Sequence, residues 1–273
     1  MPELPEVETV RLALTDTLLK SKITKISIFT KKLRFEFPKE FSEKVKGVQI
    51  TEILRRGKYL IINLKNKQSL LIHLGMTGLF KITRDYTFEK HDHIVFFLKD
   101  KVVTFNDIRR FGFFKIYKTQ DLYKSSHLKR LGEEPLGKDF NLEYILKKTY
   151  KKKQNIKSFL MNQNNIAGLG NIYCSEALFD AFISPLRMVK DIQKNEMQGL
   201  VKSVKKILRK AIKLGGTSLQ NYKSPDGSVG YFTNNLKVYG RNEKYCLRCK
   251  QKTKILKIVQ QNRSTFYCQK CQK

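Results

Sequence analysis

The chain is predicted to be an α+β protein: an N-terminal antiparallel β-sandwich with a flanking helix, a helical region after it, and a small β-rich module built on cysteines. Three observations lead there. Short β-like runs are separated by Gly, Asn, Asp or Lys in the first half; the periodicity turns helical after LGEEPLGKDF at 131–140; and four of the five cysteines cluster near the C-terminus. At 273 residues the chain exceeds one typical domain.

Val7, Val10, Leu14 and Leu18 form one apolar stripe at helical spacing. Pro5 suits the first turn of that helix, and Glu6 and Glu8 complement the positive end of its dipole. β-like runs follow at 23–29, 59–64, 70–74, 94–98, 102–105 and 113–117, too short and too interrupted for a parallel sheet. The two glycines and the proline of 131–140 predict a linker. Beyond it, Leu200, Val204, Ile207, Ala211 and Leu214 predict a helix whose other faces carry Lys202, Lys205, Lys206, Arg209, Lys210 and Lys213, stopped by Gly215 and Gly216. The polar stretch 221–235 reads as a mobile loop.

The 55 Lys and Arg against 24 Asp and Glu give a formal charge of +31. That surplus points to a polyanionic partner, nucleic acid ahead of anionic membrane, although a lysine-biased composition would also spread cations over every surface. No stretch reaches the roughly 20 apolar residues of a membrane span. The N-terminus, with Glu3, Glu6 and Glu8, does not resemble a secretory signal. An intracellular chain is expected, where clustered thiols suggest metal rather than disulfides.

Cys246-x2-Cys249 and Cys268-x2-Cys271 are separated by 18 residues, the spacing of a four-thiolate zinc site. With all four positions filled by sulfur the one Zn²⁺ is structural, and Lys244, Arg248, Lys250 and Lys270 are placed to offset its negative charge. A module this small depends on the metal for stability. Between the knuckles, 259–267 reads as a hairpin presenting Arg263. Cys174 is left over, in an apolar helical context.

The opening Met1-Pro2-Glu3-Leu4-Pro5-Glu6 offers a catalytic device. A small second residue permits removal of Met1, which leaves a secondary amine at Pro2. The positive end of a helix dipole just after it disfavours the ammonium form, and Glu3 is adjacent for proton exchange. Such an amine can attack a sugar carbon and pass through an iminium. On these residues alone, the run is equally a well-capped helix.

PELPEVETV at 2–10, RRGKYL at 55–60, HLGMTG at 73–78, KHDH at 90–93, RRFG at 109–112, GLGNIY at 168–173 and the cysteine module together resemble the formamidopyrimidine-DNA glycosylases, in order and over essentially the whole chain. The Leu-Pro-Glu opening is closer to them than to the related endonuclease VIII enzymes, which typically open Pro-Glu-Gly-Pro-Glu.

The resemblance implies that Pro2 attacks C1′ of the damaged nucleotide, that Glu3 donates the proton for base removal, and that Lys58 serves β-elimination, a role compatible with a phosphate contact. It assigns Arg263 to δ-elimination; an arginine with pKa above ~12 is better suited to clamping phosphate than to giving up a proton. Met76, Arg109 and Phe111 match the residues that fill the void left by a flipped nucleotide, although Phe111 taken alone could be core. Asn171 and the glycines at 168 and 170 match a helix–two-turns–helix phosphate site, and His91, Lys152 and Lys157 match further DNA contacts. His91 and His93 lack a third metal ligand nearby. Asn262 stands where many relatives have glycine, and asparagine tolerates positive φ.

The implied organisation is a catalytic β-sandwich at 1–130, a linker at 131–141, a helix–two-turns–helix domain at 142–235 with a lesion-capping loop at 217–233, and a zinc finger at 236–273. The implied activity is a monomeric, cytoplasmic, nucleoid-associated bifunctional glycosylase and AP lyase, acting on oxidised purines in damaged double-stranded DNA. A non-catalytic zinc-finger DNA-binding protein and an oxidised-pyrimidine glycosylase of the same fold are the alternatives.

Overall fold

A computed structural model describes residues 1–217, 225, 230–249 and 252–273. They form two compact units: Met1–Lys129 with Leu214–Tyr231, and Arg130–Lys213 with Phe232–Lys273. The mobile loop expected at 221–235 falls mostly outside the described residues, and Phe232–Asn235 is a 3₁₀ turn. Among the described residues, no helix is long and apolar enough to cross a membrane.

In the first unit, α1 (Leu4–Leu18) is followed by β1 (Lys25–Ile28), α2 (Phe41–Val45), β2 (Ile50–Arg56), β3 (Tyr59–Leu64), β4 (Gln68–His73), β5 (Leu79–Thr83), β6 (Asp92–Phe97), β7 (Val102–Asn106) and β8 (Phe113–Lys118). The strands make two four-stranded antiparallel sheets, ordered β1-β6-β7-β5 and β2-β3-β4-β8. Alternate residues of each enter one core: Leu60, Ile62, Leu70 and Ile72 from one sheet, Ile94, Phe96, Val103 and Phe105 from the other. The stripe of α1, Val7 to Leu18, is buried in the same cluster, so helix and sandwich stabilise each other.

Two strands escaped sequence reading. In β2 the charges of Glu52, Arg55 and Arg56 interrupt the apolar run, and the register shifts between Ile50 and Glu52. In β5 only Phe80 is fully buried.

The second unit contains α3 (Leu142–Thr149), α4 (Ile156–Met161), α5 (Asn171–Asp180), α6 (Lys194–Lys213) and the hairpin β9 (Leu256–Gln260)–β10 (Arg263–Tyr267). Asn141 caps α3 by accepting the Tyr144 N–H, and Asn155 caps α4 by accepting that of Ser158. α6 buries Leu200, Val204 and Ala211 and ends ahead of Gly215 and Gly216, both at positive φ. The stretch expected as a linker is coil, but it is built into this unit. The Gly132 N–H donates to the Gln163 carbonyl (2.8 Å) and that of Ala167 to the Glu133 carbonyl (3.0 Å).

Candidate active site and nucleic-acid interface

Pro2 and Glu3 are buried, with Glu3 as the N-cap of α1. Its side chain accepts the Glu6 N–H, while its own N–H donates to Glu6 Oε2 (2.8 Å), a reciprocal cap built of two glutamates. Glu6 Oε1 in turn accepts the backbone N–H (2.8 Å) and hydroxyl (2.9 Å) of Thr217. Position 216 must therefore be glycine: it has φ +76°, and a Cβ there would meet Glu6 Oε1 at 2.9 Å.

Lys58 sits in the β2–β3 turn, 7% exposed. One turn of α1 beyond the cap, Glu8 binds Arg11 (2.8 Å) and Arg55 Nε (2.8 Å), and Arg55 Nη1 donates to the Gly57 carbonyl (3.1 Å) beside Lys58. Burial alone would raise the Glu8 carboxyl, but the hydrogen bonds and charges of Arg11 and Arg55 hold it below its ordinary value. Read from sequence as a partner of the helix dipole, Glu8 also connects the start of α1 to the turn that carries Lys58. Arg55 was visible only as part of a motif.

Met76, Arg109 and Phe111 come together on two loops. Phe111 is 43% and Met76 41% exposed, so neither is core, and the Arg109 guanidinium lies 4.7 Å from the centre of the Phe111 ring. The loops touch backbone to backbone: Gly75 has φ +66°, and a Cβ there would lie 2.4 Å from the Gly112 nitrogen. Asp107, fully buried between them, escaped sequence reading. Its carbonyl faces Nε2 of the buried His93 (2.9 Å), and its N–H donates to the carbonyl of half-buried His91 (3.1 Å), which has φ +77°. The structure thus gives His93 a hydrogen-bonding partner rather than a metal; among the described residues the cysteines alone form a metal-type cluster.

In the second unit, Gln163 shapes the turn before α5, donating to the Leu169 carbonyl (2.7 Å) and accepting the Gly168 N–H (2.8 Å). Asn171 opens α5 and commits one amide proton to the Ser264 carbonyl (2.8 Å). Lys152 is exposed after α3. Lys157, expected as a DNA contact, is engaged within the protein. It is 1% exposed, and its ammonium donates to the Ser264 carbonyl (3.2 Å) and to Thr265 Oγ1, holding the strand that begins with Arg263.

Arg263 is exposed at the start of β10. Gln261 and Asn262, at φ +48° and +57°, make the two-residue turn before it, a left-handed pair matching the twist of a tight hairpin. The Sγ atoms of Cys246, Cys249, Cys268 and Cys271 all lie within 4.8 Å of one another. The Cys271 thiol is pushed up to about 12 by burial, then by hydrogen bonds and charge from Cys268 and Cys246. Four sulfurs this close need a cation to ionise together, so the donor set fits one metal ion.

Two tethers fix this module to α5. The buried Glu176 carboxylate accepts the backbone N–H groups of Lys237, Val238 and Tyr239 at 2.9–3.1 Å, while burial holds its pKa above the ordinary value against their pull. The Arg248 guanidinium stacks on Phe179 (3.8 Å) and Phe182 (4.0 Å) and donates to the Phe179 carbonyl, engagements that sequence reading did not anticipate. Lys250 lies outside the described residues.

Residues 1–114 match the formamidopyrimidine-DNA glycosylase N-terminal domain, and 131–223 the H2TH domain of the same enzymes. The chain is 40% identical to the formamidopyrimidine-DNA glycosylase of Bartonella quintana over the full length of both. It is 41% identical to that of Rickettsia africae, covering all of this chain and 99% of the relative. Among solved structures it resembles the Lactococcus lactis enzyme bound to abasic-site DNA, with 37% identity, a TM-score of 0.91 and 99% of each chain covered. The same enzyme has been solved with DNA containing an oxidised pyrimidine (36% identity, TM-score 0.90, 99% of each chain).

Proposed function

The chain belongs to the formamidopyrimidine-DNA glycosylase family, and from that premise we propose that it removes 8-oxoguanine and formamidopyrimidines from duplex DNA through an iminium at Pro2, then cuts the strand by β,δ-elimination. The observation that carries this reading is the construction of the N-terminus. Pro2 and Glu3 are buried at a helix start, and Glu8 and Arg55 tie that helix to the Lys58 turn.

Once Met1 is removed, the Pro2 nitrogen has a lone pair, and the positive helix end beside it disfavours the ammonium form. The nitrogen attacks C1′, the base leaves with a proton, and the sugar ring opens to an iminium. Glu3 is placed to carry protons at this stage. The iminium acidifies C2′; loss of that proton expels the 3′ phosphate, and a second elimination expels the 5′ phosphate. Lys58 serves as the cation of the first elimination and Arg263 clamps phosphate for the second. Met76, Arg109 and Phe111 fill the gap in the stack, while Asn171, Lys152 and His91 hold the backbone. Lys157 holds the hairpin. A Zn²⁺ on Cys246, Cys249, Cys268 and Cys271 supplies structure alone, closing the module that presents Arg263.

Borohydride added to the protein and an 8-oxoguanine duplex should freeze the iminium as a covalent protein–DNA adduct, and Pro2→Gly should sharply reduce it. Protein that binds the duplex but neither crosslinks nor nicks it would sink the proposal. The oxidised-pyrimidine DNA held by the Lactococcus lactis enzyme favours testing a second reading, by comparing cleavage of 8-oxoguanine and thymine-glycol duplexes.

A further inference from the structure

The three gap-filling side chains lie on loops that, as isolated loops, would not hold them in place. Met76 follows Gly75, and Arg109 and Phe111 flank Arg110, a non-glycine residue at φ +54°. An exposed methionine and an exposed phenylalanine gain nothing from burial at these positions. Their placement must come from something beneath them.

That support is Asp107. Its Oδ1 accepts the Thr77 hydroxyl and the Arg109 N–H (3.3 Å), and its Oδ2 accepts the Gly112 N–H (2.7 Å). The Thr77 hydroxyl oxygen also accepts the Arg109 N–H (3.0 Å), so the loop of Met76 and the loop of Arg109 share one acceptor network. The Asp107 carbonyl accepts the Arg110 N–H (3.2 Å), closing the turn that carries Arg109 and Phe111. Every acceptor in this set belongs to a side chain or turn that is buried or half-buried, and none is spent on the surface.

We infer that Asp107 is a positioning residue for lesion extrusion: its carboxylate locks the Met76 loop to the Arg109–Phe111 loop as one preformed wedge. The inference rests on the reading of those three residues as the gap fillers. It assigns Asp107 no contact with DNA and no part in bond breaking. A carboxylate suits the task because it only accepts, whereas an asparagine would turn an N–H group toward an N–H donor of one of the two loops.

The consequence is a selective defect. Expelling a stacked base requires the wedge, whereas an abasic sugar has no base to unstack. Asp107→Asn and the milder Thr77→Val should slow single-turnover excision of 8-oxoguanine roughly 10- to 100-fold, the scale of a lost buried acceptor, while cleavage of a preformed abasic site falls far less. In a Met76→Ala/Phe111→Ala background, Asp107→Asn should add almost nothing, because the part it positions is already gone.

Wild-type excision by both Asp107→Asn and Thr77→Val would overturn the inference. So would an equal loss on the two substrates, or a loss that multiplies with the Met76→Ala/Phe111→Ala loss. If Met76→Ala/Phe111→Ala itself excises normally, the gap-filling reading fails instead, an outcome distinct from a defective double variant beside a normal Asp107→Asn. Thr77→Val keeps the test decisive should Asp107→Asn fail to fold.

Discussion

At the end of β4 the His73 ring stacks on Phe113 (5.6 Å between centres), and its Nδ1 accepts the Gly75 N–H (3.0 Å), at the root of the Met76 loop. Burial, then the charges of Lys58, Arg34 and His127, lower its pKa to about 4. Between that value and the ordinary 6.5, the unfolded chain binds a proton that the folded chain refuses. The stability this neutral ring contributes is therefore complete above pH 6.5 and is lost as pH falls toward 4, on the order of 3 kcal/mol in all. His73→Gln should flatten the dependence of the urea midpoint on pH across that window; an unchanged slope would contradict the assignment. The residue scale is also where sequence said least. Asp107, Glu8 and Lys157 act through hydrogen bonds to residues far along the chain, for example 108 positions from Lys157 to Thr265, and no local pattern records such a partner. The four cysteines were legible because their spacing itself carries the chemistry, and their sulfurs do cluster.

Elements were legible where burial imposes a period. The α1 stripe and six strand runs fall close to their observed places, since one face of each meets the sandwich core. β2 and β5 were lost to charged and half-exposed positions. α3 and α4, of eight and six residues, are too short for a period to stand out, and asparagine caps rather than apolar stripes mark where they begin. The hairpin was legible, and its turn accepts Asn262 at positive φ. Its core is small: Val238, Cys246, Ile255, Phe266 and Cys268 with Phe179 of α5. Such a cluster is too small to hold without a metal on its four thiols, so chelation should unfold the module and abolish lesion binding while the first unit keeps its β-sheet signal. Unchanged affinity after chelation, read by fluorescence anisotropy, would remove the hairpin from the interface.

For the molecule as a whole, the formal charge of +31 sets the response to salt. The exposed face of α6 contributes Lys202, Lys206, Arg209, Lys210 and Lys213, and among the described residues Asp180, paired to Lys206, is the acid set against them. Binding to duplex DNA should weaken along a log–log line with a slope near −0.9 per neutralised phosphate. Replacing Lys152 with alanine should make that slope shallower by about one unit, whereas Lys157→Ala should leave the slope alone and impair cleavage. A flat salt response would contradict the phosphate assignments altogether.

The bond between Glu6 and Thr217 joins positions 211 residues apart. During synthesis, that bond therefore cannot form until the chain has grown past Thr217. For all of that interval the first turn of α1 lacks this partner, so removal of Met1, which is still 47% exposed once the chain has folded, can precede completion of the cap.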